Sequence, residues 1–182
     1  MRVTMVYPFF GTGRRSLYFP QGLAYVAAAL RNAGHTVTVV DMEGSDLSVD
    51  SALARILDSS PEMVGFGGMI TRYKIVRELG RKLKKEAPGV FLVAGNSGAT
   101  AIPELYLKNA RMDAAVLGEG EVTSVELADA VAAGAEWRTV PGIAFLDDSG
   151  AVARSGKREL HPDLDSLPWP ARDLFPLERY MT

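Results

Sequence analysis

Five short apolar runs separated by segments of helical period constrain this chain more than any other feature. The runs are Val3 to Tyr7, Thr36 to Val40, Met63 to Gly67, Val90 to Ala94 and Ala114 to Leu117. Each is rich in β-branched or aromatic residues and almost continuously hydrophobic, the pattern of a parallel strand covered on both faces. The segments between and after them are Gln21 to Asn32, Val49 to Asp58, Tyr73 to Glu86, Pro103 to Asn109 and Val122 to Ala133. In the first, Leu23, Val26, Ala27 and Leu30 fall on one stripe, and Gly34, Pro61 and Pro88-Gly89 follow successive helices as breakers. Strict alternation predicts an α/β, doubly wound, Rossmann-like fold. A five-stranded parallel sheet of flavodoxin-like order 2-1-3-4-5 places a ligand over the carboxyl ends of the strands, at the switch point.

Composition narrows the partners. With 20 basic against 22 acidic residues in 182, the charge balance argues against nucleic acid and anionic membrane. Apolar stretches such as Leu23 to Leu30 are too short to span a bilayer, and "MRVTMVYPFF" enters a strand pattern directly instead of a signal peptide. The expectation is a soluble, cytoplasmic protein of one domain plus a tail. The chain has no cysteine, which removes disulfides, thiolate metal sites, iron–sulfur clusters and cysteine nucleophiles from it.

The predicted carboxyl rim is unusual. "PFFGTGRRSLYFPQG" (Pro8 to Gly22) is far longer than typical strand-to-helix connections, and such loops are usually functional. "GGMITRY" follows the third strand, "AGNSGAT" (Ala94 to Thr100) the fourth and "GEGEVT" (Gly118 to Thr123) the fifth. Glycines there let a ligand approach the backbone, and helix amino termini offer free N–H donors. No loop reads G-x-x-x-x-G-K-[ST], and the "GTG" at Gly11 to Gly13 is followed by Arg14 and Arg15, a poor dinucleotide fingerprint. Pro8-Phe9-Phe10 and Gly67-Gly68 stand where a phosphoryl-accepting receiver needs carboxylates. His35 falls on the opposite rim, as a solvated turn residue, and His161 in the tail.

Taken in order, "YFPQGLAYVAAALRNAGHTVTVVD", "EMVGFGGMITRY", "LVAGNSGATAIPE", "DAAVLGEGEVTSVEL" and "LDSLPWPARDLFPLERY" resemble the amino-terminal cobalamin-binding domain of B12-dependent radical SAM proteins. The resemblance covers essentially the whole chain. It implies cobalamin with its corrin across the strand ends and its nucleotide tail threaded into the domain. The implied cofactor-binding residues are Thr12 and Gly13 in the first loop; Gly67, Gly68, Met69, Ile70, Thr71, Arg72 and Tyr73 after the third strand; Gly95, Asn96, Ser97 and Gly98 after the fourth; and Gly118, Glu119, Gly120 and Thr123 at the fifth. Met69 and Ile70 would form an apolar floor. Many cobalamin modules carry D-x-H-x-x-G after the first strand, with the histidine on cobalt, but residues 8 to 22 contain neither histidine nor aspartate. The expectation is therefore base-off cobalamin with no protein ligand to the metal, and Thr71 or Arg72 close to the vacant axial position. Asp41-Met42-Glu43-Gly44 echoes that motif only superficially, after the second strand.

Residues 1–138 would be the cobalamin-binding domain. Residues 139–182 would be a β-hairpin, turning at Asp147-Asp148-Ser149-Gly150, and a proline-punctuated connector anchored by Leu167, Trp169, Leu174 and Tyr180. In the family that connector leads to a radical SAM domain holding S-adenosylmethionine and a [4Fe–4S] cluster, absent here. By itself the chain is expected to be non-catalytic, part of a larger methyltransferase. Plainer readings stand beside these. Met69-Ile70 could be core, Arg72 with Lys74 and Arg77 a solvated helix face, "GNSG" a simple turn and "GEGEVT" a helix start. Phe9, Phe10, Tyr18 and Phe19 could close a core. The rival functions are a flavodoxin-like flavin or nucleotide binder, using Thr12 and Ser16, and a ligand-free docking domain with a flat, filled rim.

Overall fold

The computed structural model describes residues 1–9 and 18–181. One sheet organises them, in the strand order β2-β1-β3-β4-β5-β6-β7. Strands β1 (Arg2–Tyr7), β2 (Thr36–Asp41), β3 (Met63–Phe66), β4 (Phe91–Ala94) and β5 (Ala114–Val116) run parallel. The five-stranded parallel order expected from the alternation is thus observed. Strands β6 (Ile143–Leu146) and β7 (Val152–Arg154) form the expected hairpin, and β6 pairs antiparallel with β5. The hairpin therefore lengthens the sheet to seven strands instead of standing apart from it. At its turn, the Asp147 carboxylate accepts from the Ser149 and Ala151 amides, and Gly150 takes a φ of 79°.

Alternation along β1 shows how the two faces are built. Val3, Met5 and Tyr7 enter one core cluster, with α1 (Gln21–Asn32) and α5 (Glu121–Ala132). Val6 enters the other, with α2 (Val49–Asp58) and α3 (Tyr73–Glu86). This is the period-two division of a strand covered on both sides. The chain leaves β1 toward α1 and β2 on one flank and reaches β3 on the other, so a crevice opens above the carboxyl ends of β1 and β3.

Two local expectations are corrected. The helix expected over Pro103 to Asn109 is observed, with Leu105–Asn109 π-helical, but a further helix, α4 (Asn96–Ala101), precedes it. "GNSGAT" is thus the first turns of a helix, which ends at Ile102 before Pro103, a residue with no N–H to continue it. His35 is buried, not solvated, with Nε2 3.4 Å from Asp129 Oδ1. Burial lowers its pKa.

The connector lies along the surface, held by two of the expected anchors, Leu174 and Tyr180, and by buried Ala171 and Phe175, while Trp169 is 88% exposed. Ala171 N–H donates to Ala24 O, Arg31 grips Asp173 through two hydrogen bonds, and the Phe175 and Tyr180 rings meet Phe19 edge-on. The chain's last described turns therefore return to the rim where the first loop ends. No helix among the described residues is long and apolar enough to cross a membrane.

Candidate functional site

Between the β1–β3–β4 face and helices α1 and α5 lies a cavity of about 620 Å³, within the range of small-molecule and cofactor sites. Its mouth is the carboxyl rim. Gly67, Gly68, Met69 and Arg72 contribute from the loop after β3, Gly95, Asn96 and Ser97 from the end of β4 and start of α4, and Gly118, Glu119 and Gly120 from the loop before α5. Ten of the residues singled out in the sequence therefore border one opening. Ile70 and Thr71 are exposed beside it, but do not line it. Gly98 and Thr123 are buried and Tyr73 is half-buried, none of them lining the cavity, and Thr12 and Gly13 fall outside the described residues. The rim is an open cleft, whereas a docking domain was expected to present a filled one.

The loop after β3 is shaped by Gly68, whose φ of 126° is a conformation that side chains avoid. It turns the chain so that Met69 and Ile70 stand at the rim, 55% and 42% exposed, not in the core. In α4, Asn96 starts the helix in a left-handed conformation (φ 73°), and Thr100 Oγ1 accepts from Gly118 N–H at 3.0 Å, tying the fourth loop to the fifth. At the start of α5, Thr123 Oγ1 donates to Glu119 O. Thr123 thus supports the "GEGE" turn from below.

Gly98 has a different constraint. A Cβ there would sit 2.3 Å from Tyr106 Oη and 3.2 Å from the Ile70 backbone nitrogen. Tyr106 is buried, its ring meets Tyr73 edge-on, and its hydroxyl has no hydrogen-bond partner. Gly98→Ala is therefore expected to destabilise the fold by about 1–3 kcal/mol through overpacking. Tyr106→Phe, which deletes an unsatisfied buried hydroxyl, should be neutral or stabilising and should recover part of that loss. Urea unfolding of the two single variants and the double variant measures both effects.

Beneath the rim, Arg72 is almost fully buried. One guanidinium nitrogen lies 2.5 Å from Glu43 Oε2 and donates to Tyr7 Oη at 2.8 Å; the other donates to Pro8 O. The guanidinium carbon also stands 4.2 Å from the Tyr7 ring centroid. Arg72 is thus no part of a solvated helix face. Its charge is compensated by a carboxylate that the sequence reading treated as incidental. Asp41 completes the cluster: it accepts from Tyr180 Oη at 2.5 Å and from Gly44 N–H at 2.8 Å.

Burial raises the Asp41 pKa above its usual value, against the opposing pull of Tyr180, the Gly44 and Glu43 amides and Arg72. Burial likewise raises the pKa of Tyr7 and, together with Asp41, that of Tyr180. Since folding raises the Asp41 value, the native state holds more protons than the unfolded chain between the ordinary and the raised value. Stability should fall as pH rises through that window. Asp41→Asn is expected to flatten that part of the stability–pH curve, which unfolding midpoints measured upward from the ordinary carboxylate range will show.

The deep lining was missed in the sequence. Val3, Met5, Leu30, Met63, Val93 and Leu127 border the narrow lower end of the cavity while remaining buried members of the core, and each reads in the sequence as an ordinary core residue. One signal was available: Gly65 stands in the middle of β3, where glycine marks a close approach.

A family model described as "B12 binding domain" matches residues 11–128. The chain belongs to this family. Similar proteins include an uncharacterized methyltransferase of Pyrococcus horikoshii, 32% identical over 88% of this chain and 35% of its own length. Another is the anaerobic magnesium-protoporphyrin IX monomethyl ester cyclase of Rubrivivax gelatinosus, 32% identical over 92% of this chain and 32% of its own. The chain thus spans about a third of the length of these relatives.

Among solved structures, the cobalamin-dependent S-adenosylmethionine radical enzyme OxsB with aqua-cobalamin bound shares the fold. Its TM-score is 0.84 at 20% identity, covering 98% of this chain and 25% of OxsB. The radical S-adenosylmethionine methyltransferase TsrM of Kitasatospora setae, with cobalamin and a [4Fe–4S] cluster bound, matches with a TM-score of 0.74 at 20% identity, over 93% of this chain and 31% of TsrM. Cobalamin is the cofactor of the family, and the cleft of this B12-binding chain suits it. Its mouth is built from backbone that can be approached closely, and a Cβ on Gly118 would meet nothing within 4 Å.

Proposed function

We propose that this B12-binding chain is the cofactor-holding module of a larger B12-dependent radical SAM enzyme, in which it carries cobalamin base-off with no histidine on cobalt. The observation that carries the reading is the deep cavity opening at the strand ends. A corrin seated on the rim needs an apolar floor, supplied by exposed Met69 and Ile70, and partners for its neutral amides, supplied by backbone and by Asn96, Ser97 and Thr100. Its nucleotide tail needs a channel between the sheet and α1 and α5, and the cavity follows that course. Bound cobalamin supplies a cobalt centre able to carry a methyl group or exchange electrons, while the protein supplies position and exclusion of water.

The histidine reading rests on placement. The chain has two histidines: His35 is buried between α1 and β2, and His161 lies in the connector. Neither lines the cavity. The Arg72–Glu43 pair holds the loop that carries Met69, so its role is to fix the floor instead of presenting a free cation to the metal. Methyl transfer is the favoured overall reaction, since the Pyrococcus horikoshii relative and TsrM are both methyltransferases. The cyclase relative supports cyclisation as a second reading. Residues 1–138 would form the cofactor domain and residues 139–182 the hairpin and connector toward a radical SAM domain.

Electron paramagnetic resonance of bound cob(II)alamin tests the axial arrangement. A nitrogen ligand splits each cobalt hyperfine line into a triplet, so the expected spectrum shows single lines. Persistent triplets in the bound complex would sink the base-off, histidine-free reading.

A further inference from the structure

We infer that Tyr180 is a positioning residue for the cobalamin site: its phenol, docked on Asp41, fixes the turn after β2 that presents Glu43 to Arg72, and through Arg72 the loop that carries Met69 and Ile70. The inference rests on the proposed function, which makes Met69 and Ile70 the corrin floor.

Each step of that route is a direct contact. Tyr180 Oη donates to Asp41 Oδ2 at 2.5 Å, joining the connector to the end of β2. The other Asp41 oxygen accepts from Gly44 N–H at 2.8 Å, and the Glu43 amide also bonds this carboxylate. Asp41 thus gathers the amides of the turn, and the Glu43 side chain leaves that turn to meet Arg72. Arg72 donates its own amide N–H to Met69 O at 2.9 Å, closing the short turn Ile70–Arg72.

Packing leaves this route little slack. A Cβ on Gly44 would lie 2.8 Å from Pro176 Cγ in the connector and 2.5 Å from Asp41 Oδ2, so turn and connector touch as well as bond. A Cβ on Gly68 would lie 2.7 Å from Arg72 Cδ, so the floor loop is fitted just as closely to the arginine. Close-packed groups transmit a displacement instead of absorbing it.

The chemistry of the anchor separates this role from plain adhesion. Ala171 and Phe175 already hold the connector by burial, and Tyr180→Phe would keep the edge-on contact with Phe19. A hydroxyl bonded to a carboxylate that is 3% exposed adds direction to that adhesion, because a satisfied buried network specifies one arrangement. Under the proposed function the connector leads to the radical SAM domain, so the same contacts let the seating of that domain govern the order of the corrin floor.

The test compares Tyr180→Phe with Asp173→Asn, which weakens the same connector at its exposed bridge to Arg31 and touches none of the route. Amide hydrogen exchange is read on the ligand-free chains, and hydroxocobalamin affinity by absorbance titration. Tyr180→Phe is expected to speed exchange in the turn Ile70–Arg72 roughly tenfold or more, the loss of one bond to a charged acceptor, while α5 keeps its rate. Cobalamin affinity should fall roughly fivefold or more, the low end of coupling between sites, and Asp173→Asn should change neither. Unaltered exchange of the floor loop in Tyr180→Phe, or equal acceleration by the two variants, overturns the positioning role. Faster exchange with unaltered affinity overturns it too, by separating Tyr180 from the cofactor, and leaves the cobalamin assignment standing. Failure of the unmodified chain to bind hydroxocobalamin overturns the proposed function, and the positioning role with it.

Discussion

Glu43→Gln is expected to lower the unfolding free energy by about 3–5 kcal/mol, the usual cost of removing one partner from a buried ion pair. Among the described residues the Arg72 guanidinium is held by Tyr7, Pro8 and Glu43, and both residues of the ion pair are 4% exposed. Glutamine keeps the shape and one acceptor oxygen but leaves the cation without its counter-charge. The effect should be partly reversed in Glu43→Gln combined with Arg72→Met, which removes the stranded charge, and urea denaturation of the three variants closes the double-mutant cycle. The loop carrying Met69 and Ile70 begins only a few residues before Arg72, so the single variant should also loosen the cofactor floor. A ΔΔG near zero would show that Arg72 reaches water or another anion.

Gly95→Leu should separate folding from binding. Gly95 lines the cavity mouth in an extended conformation (φ −134°) that any residue can adopt, and a Cβ there would find only Phe66 O, at 4.0 Å. The fold therefore has room for a side chain, and the cost to stability should stay within about 1 kcal/mol, the value of an amino-terminal cap. The same side chain would project into space that the corrin or its tail must use. Cobalamin affinity should fall by roughly a hundredfold or more, since overlap with the ligand forfeits packing along the whole mouth. Parallel measurement of the unfolding midpoint and of cobalamin binding checks both halves. Unchanged affinity would remove the β4 end from the site.

The course of the chain was legible because each strand and helix carries its own periodicity. Continuous apolar runs marked β1 to β5, and Asp147-Asp148-Ser149-Gly150 marked the hairpin turn. The rim was legible for a related reason: glycines at strand ends have few other uses. What escaped depends on distance in sequence. Nothing near Glu43 indicates that Arg72, far along the chain, will bury its charge against it. Val3, Leu30 and Leu127 have the same chemistry whether they fill a core or line a channel. "GNSGAT" has turn-forming residues, yet its place after β4 and against β5 makes it a helix start, tertiary packing overriding local preference. Tyr180 read as an anchor of the connector, and the structure shows its partner, Asp41.

Retention of cobalamin by the purified chain tests the central claim most directly. The chain is mixed with excess hydroxocobalamin, desalted, and its visible spectrum recorded beside its circular dichroism. The account predicts that the corrin chromophore leaves the column with the protein in about equimolar amount, as expected for one enclosed site, with a base-off spectrum. A colourless protein fraction with an intact α/β dichroism spectrum would contradict it.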